Sequence, residues 1–138
     1  MNPEAGPART GEGACYCGRV RLRFEEPVLA FVNCHCSQCR RLSGAAMTSW
    51  YCPSRAGFRT EGHSSLTAYV QTEQVTRYFC RHCGTPMFAD DARRPDMVGI
   101  PAGVVRSPIT AHPVQSFFEG DAVPWCRSTP PLLDHGSS

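Results

Sequence analysis

The chain is organised around the stretch Cys34-His35-Cys36-Ser37-Gln38-Cys39, which places three cysteines within six residues. Two further cysteine pairs flank it, Cys15-Tyr16-Cys17-Gly18 upstream and Cys80-Arg81-His82-Cys83-Gly84 downstream. Cysteines this close in sequence can direct their sulfur atoms at one metal ion, and zinc prefers four sulfur or nitrogen ligands at tetrahedral corners. Seven of the nine cysteines therefore form a predicted metal-binding framework.

Seven ligands divide naturally into four plus three. A glycine follows the second cysteine of both flanking pairs, at Gly18 and Gly84, and glycine permits the positive φ that the tight turn of a zinc knuckle often needs. The central cysteines are followed instead by Arg40 and Arg41. We therefore predict a four-cysteine cluster made of Cys15, Cys17, Cys80 and Cys83, and a three-cysteine cluster made of Cys34, Cys36 and Cys39.

The two predicted clusters differ in what they can do with Zn²⁺. Four cysteines close a structural site, whereas a zinc ion with three protein ligands keeps one position for water or substrate. We therefore expect two zinc ions per chain, one structural and one catalytic. Other pairings of the cysteines remain open at this point, and a fourth ligand from His35, Cys52 or His63 would close the second site as well.

Length and composition predict a single domain with flanking arms. The chain has 138 residues, and 24 of them are glycine or proline, which favours a loop-rich fold with a modest core. The ends carry proline and glycine with few apolar residues. We predict a disordered N-terminal arm over 1–12, a zinc-binding domain over 13–127 and a flexible C-terminal tail over 128–138.

Apolar residues alternate with polar ones over short stretches, which is typical of β-strands. The clearest case is Arg19 to Phe24, where Val20, Leu22 and Phe24 share one face and arginines the other. Residues 37–42 can form a single helical turn that ends at Gly44. The sequence therefore predicts an all-β domain. Its further strands are predicted over 28–32, 45–51, 58–60, 65–70, 75–79, 87–89, 97–100 and 114–118.

Charge and location narrow the classes of function. The formal net charge is only +2, and all fourteen basic residues are arginines, which argues against a nucleic-acid-binding zinc ribbon and excludes a lysine Schiff base. The N-terminal stretch has no apolar core of a signal peptide, and no apolar run approaches the ~20 residues that span a bilayer. We expect a cytoplasmic protein that does not bind membranes and whose cysteines are metal ligands rather than disulfides.

The motifs resemble those of the glutathione-dependent formaldehyde-activating enzyme family, whose domain also occurs in centromere protein V. The matching stretches, in the family's order, are 13–18, Cys34 to Arg40 with Ser43-Gly44, and 79–85. The resemblance implies a β-tent fold of short antiparallel strands over zinc, with the same structural and catalytic cysteines as above. It also implies a carbon–sulfur lyase that joins glutathione and formaldehyde as S-hydroxymethylglutathione.

Two residues near the central cysteines could have either a functional or a purely structural role. Arg40 could bind a carboxylate of glutathione through a bidentate contact, or could balance thiolate charge in solvent. His35 could relay a proton or simply point outward. Cys52 and Cys126 are expected to be small buried apolar residues. A rival to the enzyme is a non-catalytic zinc scaffold that binds glutathione or a protein partner.

Overall fold

The computed structural model describes residues 6–126, 132–134 and 136. Ten strands, one helix and several short 3₁₀ turns make up this part of the chain. The strands are β1 (Arg9–Ala14), β2 (Arg21–Glu26), β3 (Ala30–Cys34), β4 (Thr48–Cys52), β5 (Arg59–Glu61), β6 (Leu66–Val70), β7 (Val75–Cys80), β8 (Pro86–Asp91), β9 (Ile100–Pro101) and β10 (Gln115–Phe117). The helix α1 (Ser37–Ser43) lies between β3 and β4. No helix in the described ranges is long and apolar enough to span a bilayer.

The strands form three small sheets, in the orders β1-β2-β5, β10-β3-β4-β9 and β6-β7-β8. This confirms the predicted all-β fold. All neighbouring strands are antiparallel except β10, which runs parallel to β3 from Gln115 opposite Val32 to Phe117 opposite Cys34. A parallel pair needs a long connection rather than a hairpin, and these two strands are separated by most of the domain. The expectation of antiparallel strands is therefore wrong for this pair.

The core lies where the inward faces of the sheets meet. On β2 the predicted alternation is observed, with Leu22 and Phe24 each 1% exposed and Arg21 and Arg23 on the outside. Tyr51 of β4 joins this layer through an edge-to-face contact with Phe24, at 5.9 Å between ring centroids. Such aromatic pairs add to the free energy of burial. The core therefore holds β2 against the sheet that leads into the central cysteines.

Strand β1 corrects the predicted N-terminal arm. Residues Arg9 to Glu12 of that arm belong to β1, which pairs with β2 along its whole length. Sequence alternation misses this strand because its inward positions are glycines: a Cβ on Gly11 would lie 2.1 Å from the Phe24 ring. The buried carboxylate of Glu26 also accepts hydrogen bonds from Arg9 and Tyr51, which ties β1 to the core. Residues 1–5 and most of 128–138 lie outside the described residues.

Candidate metal centres

The four-cysteine cluster forms where two turns meet. Cys15 follows β1 directly and Cys80 ends β7, and their partners Cys17 and Cys83 lie in the turns that come next. All four sulfur atoms lie within 4.8 Å of one another. The Sγ of Cys17 is 3.6 Å from that of Cys15 and 3.7 Å from that of Cys80. Zinc–sulfur bonds of about 2.3 Å at tetrahedral angles require about 3.8 Å between sulfurs, so this donor set fits zinc.

Both turns have the knuckle geometry that the glycines predict. Gly18 has φ 82° and Gly84 has φ 79°, which is left-handed backbone that glycine adopts without strain. The Gly18 N–H donates to the Cys15 carbonyl at 3.1 Å, and the Gly84 N–H donates to the Cys80 carbonyl at 2.8 Å. These bonds close each turn and direct both cysteines of a pair to one point.

Hydrogen-bond donors favour the thiolate form at two of the four cysteines. The Arg19 backbone N–H and its guanidinium lower the pKa of Cys17. The Thr85 hydroxyl, 3.2 Å from the Cys83 sulfur, lowers the pKa of Cys83 to about 5. A thiolate rather than a thiol is the metal ligand, so these contacts prepare the cluster to bind a cation.

The three-cysteine cluster lies at the junction of β3 and α1. Cys34 is the last residue of β3, Cys36 is the N-cap of α1 and Cys39 lies in its first turn. Their sulfur atoms also lie within 4.8 Å of one another. The Cys39 N–H donates to the Cys36 Sγ at 3.2 Å, as a capping side chain does. The end of β3, the N-cap of α1 and its first turn therefore each direct one cysteine to the same point.

Access to the cluster is unequal. Cys34 and Cys39 are 8% and 6% exposed, while Cys36 is half-buried. Burial raises the pKa of Cys34 to about 12, which favours the protonated thiol when no cation is bound. Cys36 is therefore the most accessible of the three cysteines.

None of the three proposed fourth ligands completes this cluster. His35 turns toward a neighbouring cavity, Cys52 is buried at the far end of β4, and the His63 ring is 2.8 Å from the Thr60 hydroxyl. Within the described ranges, no further histidine, cysteine or acidic side chain joins the three sulfurs. The described residues therefore supply four donors to one cluster and three to the other, and three is the donor count of a zinc site that keeps one position for a ligand.

Arg77, which the sequence analysis missed, also contacts the three-cysteine cluster. It lies on β7, and its Nη2 is 3.7 Å from the Cys39 Sγ. The guanidinium carbon is 5.2 Å from the centre of the Trp50 ring. No motif spacing indicates this contact, because β7 belongs to a different sheet from β3 and β4. One feature of the sequence could have drawn attention to Arg77: by alternation along β7 it shares a strand face with the apolar residues Val75 and Phe79.

A cavity of about 470 Å³ adjoins the cluster on the side of His35. His35 lines it together with Met47 and the segment 119–126, while the three cysteines themselves do not. Arg40 of α1 braces the same segment, since its Nη1 donates to the Asp121 carbonyl at 3.0 Å. Its predicted role in binding a carboxylate stays a prediction, and its observed contact is structural.

The last two cysteines differ from each other. Cys52 is buried, as expected, and burial raises its pKa to about 12. Cys126 is exposed and lines the cavity of His35, so the expectation that it is buried is wrong. All nine cysteines lie among the described residues, and each is a free thiol.

This difference predicts a single fast-reacting thiol in the zinc-loaded protein. At pH 8 a thiol of pKa about 12 is ionised in about one molecule in 10⁴, and the thiolate is the nucleophile. We expect a disulfide reagent to modify Cys126 within minutes and to leave Cys52 intact until the protein unfolds. Replacing Cys126 with serine should remove the fast phase, and fast modification of Cys52 would contradict the observed burial.

Two curated proteins are similar to this chain in sequence. A Halomonas elongata protein named "Putative glutathione-dependent formaldehyde-activating enzyme" is 28% identical over 109 residues, which cover 74% of this chain and 69% of that protein. An uncharacterized lyase of Schizosaccharomyces pombe is 28% identical over 79 residues, covering 56% of this chain and 55% of the lyase.

A solved structure shares the fold. The crystal structure of a Rhodobacter sphaeroides protein superimposes with a TM-score of 0.60 at 23% identity, covering 72% of this chain and 91% of that one. The sequence profile described as "Glutathione-dependent formaldehyde-activating enzyme" matches residues 10–121, which include all seven cluster cysteines. The chain belongs to the glutathione-dependent formaldehyde-activating enzyme family.

Proposed function

We propose that this protein is a zinc-dependent carbon–sulfur lyase that joins or cleaves a thiol–aldehyde adduct, with glutathione and formaldehyde or related molecules as substrates. The observation that carries the proposal is the unequal donor count: four sulfurs close one cluster, and three sulfurs form the other. Family membership and the lyase name of one relative support the same reaction class. The reducing cytoplasm, which keeps cysteines free, suits this chemistry.

The four-cysteine cluster is assigned a structural zinc and the three-cysteine cluster a catalytic one. A zinc ion at the second position would bind the substrate thiol and hold it as thiolate near neutral pH, where a free thiol is only a few per cent ionised. In the forward direction a bond forms between sulfur and the aldehyde carbon. The carbonyl π pair moves to oxygen, which takes up one proton in place of the one that the thiol released, so the adduct contains all atoms of both substrates.

Three side chains near the cluster are assigned the remaining tasks, which are admitting the thiol, exchanging a proton and binding a carboxylate. Cys36, the most accessible of the three ligands, marks the side from which a thiol enters. His35, half-buried in the adjoining cavity, is placed to exchange a proton with a molecule there. Arg40 keeps the cavity segment in place and retains unused N–H donors for a carboxylate. These roles follow the chemistry of each side chain and the contacts that it makes.

The test combines metal content with exchange spectroscopy. We expect two zinc ions per purified chain and, in NMR exchange measurements, faster interconversion of formaldehyde and S-hydroxymethylglutathione with protein than without it. The matched control is the Arg59→Gln variant, which changes an exposed side chain on β5 that lines neither the three-cysteine cluster nor the cavity of His35. Rates equal to the uncatalysed ones, with both metals present, would overturn the enzyme proposal and favour a zinc scaffold that binds glutathione without turnover.

A further inference from the structure

We propose that Arg77 is a positioning residue of the three-cysteine cluster: its guanidinium donates to the Cys39 sulfur and offsets the negative charge that a thiolate ligand adds there. This inference deepens the proposed function and rests on it for the identity of the ligand. The contact with Cys39 itself, however, predicts an effect on metal binding whether or not the protein turns over glutathione.

Three contacts hold the guanidinium in place. Its Nη2 is 3.7 Å from the Cys39 Sγ, and its Nε donates to the Gln71 side-chain oxygen at 2.6 Å. The guanidinium carbon also lies over the Trp50 ring, 5.2 Å from the ring centre. A guanidinium with two hydrogen bonds and a cation–π contact loses little further conformational freedom, so its charge is fixed beside the sulfur.

The same network reaches back to the helix that carries the ligands. The Gln71 side-chain amide donates to the side-chain oxygen of Gln38, which lies between Cys36 and Cys39 on α1. Arg77 therefore contacts the cluster twice, directly at Cys39 and indirectly through Gln71 and Gln38. Groups that hydrogen-bond to a metal ligand orient it and tune the metal, and losing one typically costs about 10- to 100-fold in metal affinity or activity.

The net negative charge of a zinc-loaded three-cysteine cluster gives a positively charged side chain beside it a role. Zn²⁺ with three thiolates carries a net charge of −1, and a fourth thiolate from a substrate would raise it to −2. Cys34 and Cys39 are buried, so water screens this charge poorly. Arg77 is itself half-buried against Cys39 and brings the loaded cluster back toward −1. The positive charge of Arg77, held beside Cys39, should therefore favour a substrate thiolate over neutral water as the fourth ligand.

The decisive variant is Arg77→Gln, compared with Arg77→Lys and with Arg59→Gln. Lysine keeps the charge but loses the planar fork that bonds to both Gln71 and Cys39. Arg59 is exposed on β5 and bonds only to nearby backbone carbonyls, so its replacement removes one positive charge without touching the cluster. Each variant is loaded with Co²⁺, whose absorption spectrum reports on the ligands, and is titrated with glutathione at neutral pH.

We expect Arg77→Gln to weaken metal retention at the three-cysteine cluster about tenfold in chelator competition and to weaken thiol binding by at least about as much. The change in the Co²⁺ thiolate band on adding glutathione should shrink in this variant, recover in part in Arg77→Lys, and be unchanged in Arg59→Gln. Metal at the four-cysteine cluster and the thermal midpoint should stay close to those of the unmodified chain.

Two results would overturn the inference. If Arg77→Gln binds metal and thiol as tightly as the unmodified chain, the contact with Cys39 has no energetic role. If metal is lost equally from both clusters together with a large fall in thermal midpoint, Arg77 is a packing residue of β7. Failure of the enzyme proposal looks different: the unmodified chain would show no faster exchange of formaldehyde, while the variants would still differ in metal retention.

Discussion

Replacing Cys80 with serine is expected to abolish the folded structure rather than merely weaken it. Cys80 has no exposed surface, and its sulfur is 3.7 Å from that of Cys17 at the centre of the four-cysteine cluster. Structural zinc contributes about 10–16 kcal/mol to folding in small zinc-binding peptides, whereas a whole domain is stable by about 5–15 kcal/mol. Losing one of four ligands removes a large part of this binding free energy, which is enough to unfold a domain in the lower part of that stability range.

Circular dichroism and bound-zinc analysis measure this directly. The Cys80→Ser variant should lose its β-sheet signal and its cooperative thermal transition, and should bind less zinc. The Cys126→Ser variant, which changes an exposed cysteine outside both clusters, should match the unmodified protein. A Cys80→Ser protein with native spectrum and transition would mean that the four-cysteine cluster does not hold the fold together.

Replacing Cys36 with serine is expected to remove activity and leave the fold. Cys36 caps α1 by accepting a bond from the Cys39 N–H, and serine is among the preferred residues for that role. The helix therefore keeps its cap, while the three-cysteine cluster loses one of its sulfurs. Since even outer groups around a metal typically contribute about 10- to 100-fold, loss of a ligand should lower the exchange rate at least about 100-fold.

Three measurements on one Cys36→Ser sample decide this prediction. Its circular dichroism and thermal midpoint should be close to native, its zinc content should fall from two toward one, and its catalysed exchange of formaldehyde should drop to the uncatalysed rate. Unchanged activity would remove the cluster from the mechanism. Loss of structure equal to that of Cys80→Ser would mean that the structural and catalytic roles are assigned to the wrong clusters.

Local spacing was enough to predict much of the candidate site. Cys15 and Cys17, like Cys80 and Cys83, are brought together by their own turns, and the glycine after each pair has the positive φ that was expected. Strand β2 was evident because its buried and exposed residues alternate strictly. In each case the signal lies within a few residues of the structure that it predicts.

The features that sequence reasoning missed depend on contacts between distant parts of the chain. Strand β1 was missed because Gly11 and Gly13 take the inward positions, where the Phe24 ring and the Leu22 side chain fill the space instead. The parallel direction of β10 depends on the path of a long connection, which no local pattern encodes. Arg77 reaches Cys39 only because two sheets pack together, and its own neighbours in sequence give no sign of it.

Strand β7 has a consequence for the order in which the protein is assembled. Arg77 and Cys80 are three residues apart on this strand, about 10 Å along it, and each meets a different cluster. If the fold depends on metal at the four-cysteine cluster, as the Cys80→Ser prediction states, an empty cluster leaves the end of β7 less firmly held and Arg77 less well placed beside Cys39. Metallation should therefore be sequential, and under zinc scarcity the partly filled population should consist of folded but inactive molecules.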